Sequence, residues 1–230
     1  MNLPPYNPLD KVNLARSIEG ELLSRRPEPL SAVDEIKGAG IYVIYYAGQF
    51  GPYGAIRCDA QNDVFHTPIY VGKAIPKGGR KGGLTKDSGR STALRDRLKQ
   101  HAASVDEAGN LELADFWVRH LVVDDIWIPL GENMLIETFQ PVWNRAIDGF
   151  GNKDPGRRRA NQFRSPWDIL HRGRLFANKL AESGLTTDFL TQRVADYFAG
   201  RPLKKLPRKV EEALEEDKRL AEEAADEADF

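Results

Sequence analysis

The chain has 230 residues, 29% of them charged, with a formal net charge of −1 and a single cysteine, Cys58. That length supports one or two domains with a real core, the lone cysteine excludes a disulfide framework, and no C-x-x-C pair suggests zinc. No opening apolar run resembles a signal peptide and no stretch approaches a membrane span, so a cytoplasmic protein without membrane contact is expected.

Residues 9–24 show helical apolar spacing at Val12, Leu14, Ile18 and Leu22 and are read as a supporting helix. Arg25 to Leu30 (RRPEPL) reads as a Pro-broken connection. Two β-branched and aromatic runs follow, residues 40–46 (GIYVIYY) and 68–72 (PIYVG), each able to place a tyrosine on the face of a sheet. A helix opened by Ser91 is expected over 91–103, a strand around Trp117 to Val123, and a further helix over 131–140, stopped by Pro141. Asn144 to His171 is Gly- and Arg-rich and reads as loop, the wrong composition for a core. A short amphipathic helix over 188–199 and a charged helical tail over 207–229 complete the chain, with no internal repeat.

The near-neutral average hides an asymmetry. Residues 207–230 carry four Lys/Arg against ten Asp/Glu, which leaves −6 in the tail and +5 in residues 1–206. Residues 73–101 hold nine Lys/Arg against Asp87 and Asp96, and residues 145–179 hold nine against Asp148, Asp154 and Asp168. Basic stretches of this kind attract a phosphate backbone through counterion release, which points to a nucleic acid.

Tyr42, Tyr70, Arg97 with His101 four residues on, Glu132, and Asn144 twelve residues after that glutamate come in one order along the chain. In that order they resemble the GIY-YIG nuclease superfamily, over roughly residues 38–150. The block ENMLIETFQPVWN, from Glu132 to Asn144, is its most diagnostic part. Two departures stand beside it: the second motif is YVG rather than YIG, and insertions at 47–67 and 75–92 spread the motifs apart. Such insertions, followed by DGFGN at Asp148 to Asn152, are similar to the GIY-YIG restriction endonucleases that cut the SacII-type site CCGCGG. The resemblance implies an α/β fold: a compact domain with a small, mainly antiparallel sheet flanked by helices, plus N- and C-terminal helical extensions. It divides the chain into an N-terminal helical arm (1–37), a catalytic core (38–150), an Arg-rich DNA-contacting loop with supporting helices (151–206) and the charged tail (207–230).

Residue chemistry fits phosphodiester hydrolysis. A helical Glu132 can hold a hard cation such as Mg²⁺, with Mn²⁺ able to substitute, and one carboxylate suits a single-metal site better than a two-metal one. Glu137 is the rival ligand, but it stands about 140° around the helix from Glu132. Arg97 offers a planar fork to a phosphate oxygen that strengthens as charge develops. Tyr42 is the candidate general base, although a phenol with pKa ~10 needs a nearby cation, for which Lys73, Arg97 and the metal are candidates. Tyr70 would orient water or phosphate, His101 would accept or relay a proton, and Asn144 would tie the glutamate helix to a backbone or phosphate group.

Arg157, Arg158, Arg159, Arg164, Arg172 and Arg174 lie among glycines, and arginine bidentate to guanine is the commonest base-reading contact, so a GC-rich target is expected. Cutting both strands of a palindromic double-stranded DNA site calls for a two-fold homodimer, with a cognate DNA methyltransferase guarding the host. Two other readings stay open. A structure-specific repair or recombination nuclease of the same superfamily would bring added DNA-binding modules, and a non-catalytic DNA-binding module would lack a motif residue.

Overall fold

A computed structural model describes residues 7, 10–76, 89–152 and 162–216 of the chain. In order come helix α1 (Lys11–Ser24), strands β1 (Glu28–Pro29), β2 (Gly40–Tyr46) and β3 (Tyr70–Ala74), helix α2 (Ala93–Asp106), strand β4 (Phe116–Val122), and helices α3 (Ile128–Phe139), α4 (Val142–Arg145), α5 (Pro166–Leu170) and α6 (Thr187–Phe198). The four strands form one antiparallel sheet in the order β1-β4-β2-β3, flanked by helices. This is the α/β fold expected from the sequence.

All seven residues of β2 are buried. Its alternate side chains feed two cores, which is why it reads as an unbroken apolar run. Tyr42, Ile44 and Tyr46 face a core shared with Leu94, Leu98 and Val105 of α2. Ile41, Val43 and Tyr45 face the opposite core, with Leu22 of α1 and Ile128 and Leu135 of α3. On α2 the buried residues are Leu94, Leu98, His101 and Val105, a single helical stripe.

Sequence expectation and structure differ in places with clear physical causes. The Arg25 to Leu30 connection contains β1, which pairs Glu28 with Val118 and Pro29 with Trp117. Pro29 is tolerated because β1 is an edge strand that owes no further ladder bond. Helix α2 starts at Ala93 behind Thr92, while the Ser91 hydroxyl accepts from the Ala93 amide at 3.1 Å. Helix α3 begins three residues before the expected start, with a proline in its first turn, where the missing amide costs no helical bond.

The larger correction concerns Asn144 to His171. Far from being a loop of the wrong composition for a core, it takes in the end of α4 and all of α5 and buries Ala146, Ile147, Phe150, Trp167, Ile169 and Leu170. The glycines and arginines between these residues dilute the apolar signal, but Trp143, Phe150 and Trp167 pack ring against ring, with Trp143 and Phe150 centroids 4.4 Å apart. Residues 208–216 of the charged tail are helical, and 217–230 lie outside the described residues. Among those described, no helix is long and apolar enough to cross a membrane.

Candidate active site

Strand register places the two tyrosines. Tyr42 pairs with Gly72 across the β2–β3 ladder and Ile44 pairs with Tyr70, so both tyrosine rings stand on the face that α2 covers. Their centroids are 6.4 Å apart. Gly72 must be glycine: a Cβ there would lie 2.4 Å from the Tyr42 hydroxyl. The final residue of the second motif is therefore the gap into which the first motif's tyrosine reaches.

Helix α2 supplies the partners one turn apart, the spacing that puts side chains on a common face. His101 Nε2 lies 2.7 Å from Tyr42 Oη, and the imidazole stacks on Phe150 with centroids 4.4 Å apart and planes 18° apart. The Arg97 guanidinium donates to the Gly151 carbonyl at 2.8 Å and to Gln100 Oε1 at 3.1 Å. Burial pushes the Tyr42 hydroxyl well above the usual phenol range, the neighbouring Tyr70 adds to that, and the Arg97 guanidinium acts against it. Burial likewise pushes Tyr70 up to about 12, again with Arg97 opposing and the Glu132 and Asp148 charges reinforcing.

Glu132 comes from the other side of the sheet. Lys73 pairs with Ile41 in the ladder and so faces α3, where its ammonium lies 2.8 Å from Glu132 Oε2. The Glu132 side chain is 15% exposed, and its charge is felt by both tyrosine hydroxyls. Glu137 is 74% exposed and pairs with Arg145 at 2.6 Å. Among the described residues no cluster of three or more His, Cys, Asp or Glu side chains could hold a metal. The donor set is thus one carboxylate already facing a cation, which fits a hard divalent ion that keeps most of its waters.

Asn144 is the structural clasp of the group. Its Oδ1 accepts from the Val71 amide and its Nδ2 donates to the Val71 carbonyl, both at 2.9 Å. Val71 sits on the open edge of β3, where its backbone groups would otherwise lack a strand partner, and the Asn144 amide takes the part of one. Tyr70 and Gly72 are thereby fixed on either side of it.

Tyr42, Tyr70, Arg97, His101, Glu132, Lys73 and Asn144 thus converge around the β2–β3 edge. Of the candidate DNA-contacting arginines, Arg157, Arg158 and Arg159 lie outside the described residues. Arg164 is 13% exposed and engaged with the Ala177 carbonyl at 3.1 Å and Glu182 at 3.5 Å, whereas Arg172 is exposed. Arg174, counted in the sequence with the DNA-facing arginines, is buried in an ion pair with Asp168. Its local sequence looked like basic loop because the acidic partner stands six residues away. Phe150 and Gly151 touch the cluster and were not assigned to it. The signal that could have found them is their place in the DGFGN run.

An antiparallel sheet with two strand tyrosines, a helical Arg-His pair and a helical glutamate at its edge defines a nuclease domain of the GIY-YIG type. A family model described as the Eco29kI GIY-YIG domain matches residues 34–198, well over half of the chain, and the chain belongs to this restriction endonuclease family. The match runs past residue 150 and takes in α5 and α6. No curated protein matches the chain.

Proposed function

We propose that this restriction endonuclease is a type II enzyme that hydrolyses both strands of a short GC-rich palindrome in double-stranded DNA, with CCGCGG the first candidate. The observation that carries the chemistry is the buried Tyr42–His101 contact beside Arg97. The long insertions and the Asp148 to Asn152 run support the choice of site. The protein acts as a homodimer in the cytoplasm, since one such cluster per protomer serves one strand, and a cognate methyltransferase protects the host's own sites.

With the imidazole accepting at Nε2, the Tyr42 hydroxyl donates to His101 and keeps lone pairs to receive a proton from the attacking water. Burial keeps the phenol protonated at neutral pH, so Tyr42 works as a relay: it takes the water's proton while passing its own to His101. Arg97 stabilises the charge that builds on the phosphate, and Tyr70 orients the phosphate or the water. Glu132 would hold Mg²⁺, or Mn²⁺ in its place. Bound there, the ion would act as Lewis acid and stabilise the leaving oxygen. Asn144 holds β3 in register, and Lys73 balances the Glu132 charge when the ion is away. Arg157, Arg158, Arg159 and Arg172 are the candidates for reading bases or gripping phosphates, with Arg164 more constrained by its own fold.

Digestion of a plasmid of known sequence with Mg²⁺, followed by mapping of the fragment ends, tests the proposal. Discrete fragments ending at one palindrome are expected. Structure-dependent nicking without sequence preference would overturn it, and light scattering showing one protomer per cut duplex would overturn the dimer.

A further inference from the structure

Arg174 is 1% exposed and uses its whole guanidinium inside the protein. Its Nη2 donates to the Gly149 carbonyl at 2.9 Å, Nη1 to the carbonyls of Phe150 at 3.1 Å and Asn152 at 3.3 Å, and Nε to Asp168 Oδ1 at 2.6 Å. Asp168 is fixed in turn by the Ser165 hydroxyl, which donates to Oδ2 at 2.6 Å. The guanidinium lies 4.5 Å from the Trp167 ring centroid and 4.8 Å from that of Phe176. A buried ion pair of this kind contributes little net stability over an apolar replacement, so its function is better sought in what it orders.

What it orders is the backbone from Gly149 to Asn152. The Gly151 carbonyl accepts from Arg97 Nη2 at 2.8 Å. The Phe150 ring stacks on His101 and stands edge-on to Tyr70 with centroids 5.0 Å apart. The fit is close on the side of the reacting groups too: a Cβ on Gly151 would lie 2.9 Å from the Tyr70 hydroxyl and 3.2 Å from Arg97 Nη2. One buried side chain, far along the sequence from the family's tyrosines, therefore sets the segment against which the arginine and histidine are registered.

We propose that Arg174 is a positioning residue for DNA cleavage, acting through residues 149–152 to fix the Arg97 guanidinium and the His101 ring. The inference rests on the reading of Arg97 and His101 as members of the catalytic site. Arginine suits the task because its five donors fan out in one plane, whereas a lysine ammonium cannot meet three carbonyls and a carboxylate at once.

Arg174→Lys retains the charge beside Asp168 and loosens only the fan of bonds. In single-turnover digestion of a plasmid whose sites have been mapped with the wild-type enzyme, it is expected to keep the DNA affinity and a cooperative melting transition, lowered by the carbonyls left without a donor. Its cleavage rate is expected to fall by about 10²-fold, the scale of a misplacement near 1 Å. Arg97→Lys combined with Arg174→Lys is expected to lose clearly less than the product of the two separate losses, because both share the Arg97 guanidinium and only the share passing through the His101 ring is left to add. A general structural defect would instead multiply the two losses, and that result overturns the proposal, as does a folded Arg174→Lys enzyme with wild-type turnover. If Arg174→Lys does not fold, Gly151→Ala decides at a half-exposed site: a comparable rate loss that shrinks in the Arg97→Lys background to the share owed to the Tyr70 hydroxyl supports the proposal, and wild-type cleavage or an undiminished loss overturns it. Arg97→Ala separates the levels. Wild-type cutting by that variant overturns the catalytic reading and the proposal together, whereas an inactive Arg97→Ala beside a fully active Arg174→Lys overturns the proposal alone.

Discussion

Tyr42→Phe keeps the ring in the core and removes one oxygen, which makes its effect on rate separable from its effect on stability. The lost contact is the 2.7 Å approach to His101 Nε2, and His101 is 1% exposed, so that nitrogen would be left in the protein interior without this partner. The stability cost of such a loss is about 1 to 3 kcal/mol, or roughly 2 to 4 °C in Tm for each kcal/mol in a chain of this size. Folded domains have roughly 5 to 15 kcal/mol in hand, so the variant stays folded at 25 °C. The rate is another matter: loss of the relay should slow single-turnover cleavage by about 10² to 10⁴-fold, equivalent to roughly 2.7 to 5.4 kcal/mol of transition-state stabilisation. DNA affinity in a gel-shift titration should hardly change. The pH profile of the wild-type enzyme adds a second check. Tyr70 is raised to about 12 and Tyr42 lies higher still, so phenolate is scarce throughout the working range. A mechanism limited by free phenolate would quicken about tenfold per pH unit up to pH ~10, whereas the relay predicts no such climb between about pH 8 and pH 10. Turnover of Tyr42→Phe within a few-fold of wild type would refute the reasoning.

Glu132→Gln should abolish Mg²⁺-dependent cleavage with DNA binding kept, while Glu137→Gln, which removes only an exposed pair with Arg145, should cut normally; cleavage assays on both variants decide between them. Asn144→Ala removes both bonds to Val71 and should cost about 1 to 3 kcal/mol in chemical denaturation, with a lowered cleavage rate because Tyr70 and Gly72 flank the released backbone. His171 is held neutral by burial, with a further push from Arg174, and its pKa falls to about 3. Its folded value is depressed, so its share of stability is whole above pH ~6.5 and falls by about 1.4 kcal/mol per pH unit on acidification, until it is exhausted near pH 3. Equilibrium unfolding from pH 7 to pH 4 should show this slope in the wild type and lose it in His171→Gln. Replacing Arg157, Arg158 and Arg159 one at a time should divide them by salt-dependent binding, a phosphate contact lowering the salt slope by about one and a base reader relaxing specificity at about 1 to 3 kcal/mol.

Strands β2, β3 and β4 and helices α1, α2, α3 and α6 were legible because each carries its own local signal, whereas β1 and α4 were not. GIYVIYY reads as a strand from its β-branched and aromatic residues, and Leu94, Leu98 and His101 recur at helical spacing. The segment after Asn144 was not legible, since its core residues are spread singly between glycines and arginines and pack against Trp143 at its start and Tyr53 from a distant part of the chain. Tyr53 sits inside what the sequence presents as an insertion, yet its hydroxyl lies 2.5 Å from His171 Nε2 and accepts from Trp143 Nε1 at 2.8 Å. No periodicity marks a residue whose partners lie about a hundred positions away. Arg174 misled for the same reason: composition counts its charge, but only the fold reveals that Asp168 and three carbonyls consume it.

The candidate site was legible as an ordered list of residues but not as a mechanism, and the difference lies in Gly72. A sequence reading treats that glycine as part of a motif. In the sheet it lets the Tyr42 hydroxyl pass over an edge strand, so that groups from the α2 face and a carboxylate from the α3 face act on the same oxygen. The edge position matters as much as the missing side chain. A central strand would be covered on both sides and flanked by ladders, with no room for DNA to approach, whereas β3 has one open edge. An open edge is also a weak one. Asn144 resolves that conflict by closing the ladder at Val71, beside the Trp143 amide that donates to the Ile69 carbonyl, and leaves the flanking tyrosine and glycine clear of a further strand. An asparagine whose amide bonds in both directions is the smallest side chain that can do this, so the P-x-x-N ending and the second tyrosine motif are parts of one device.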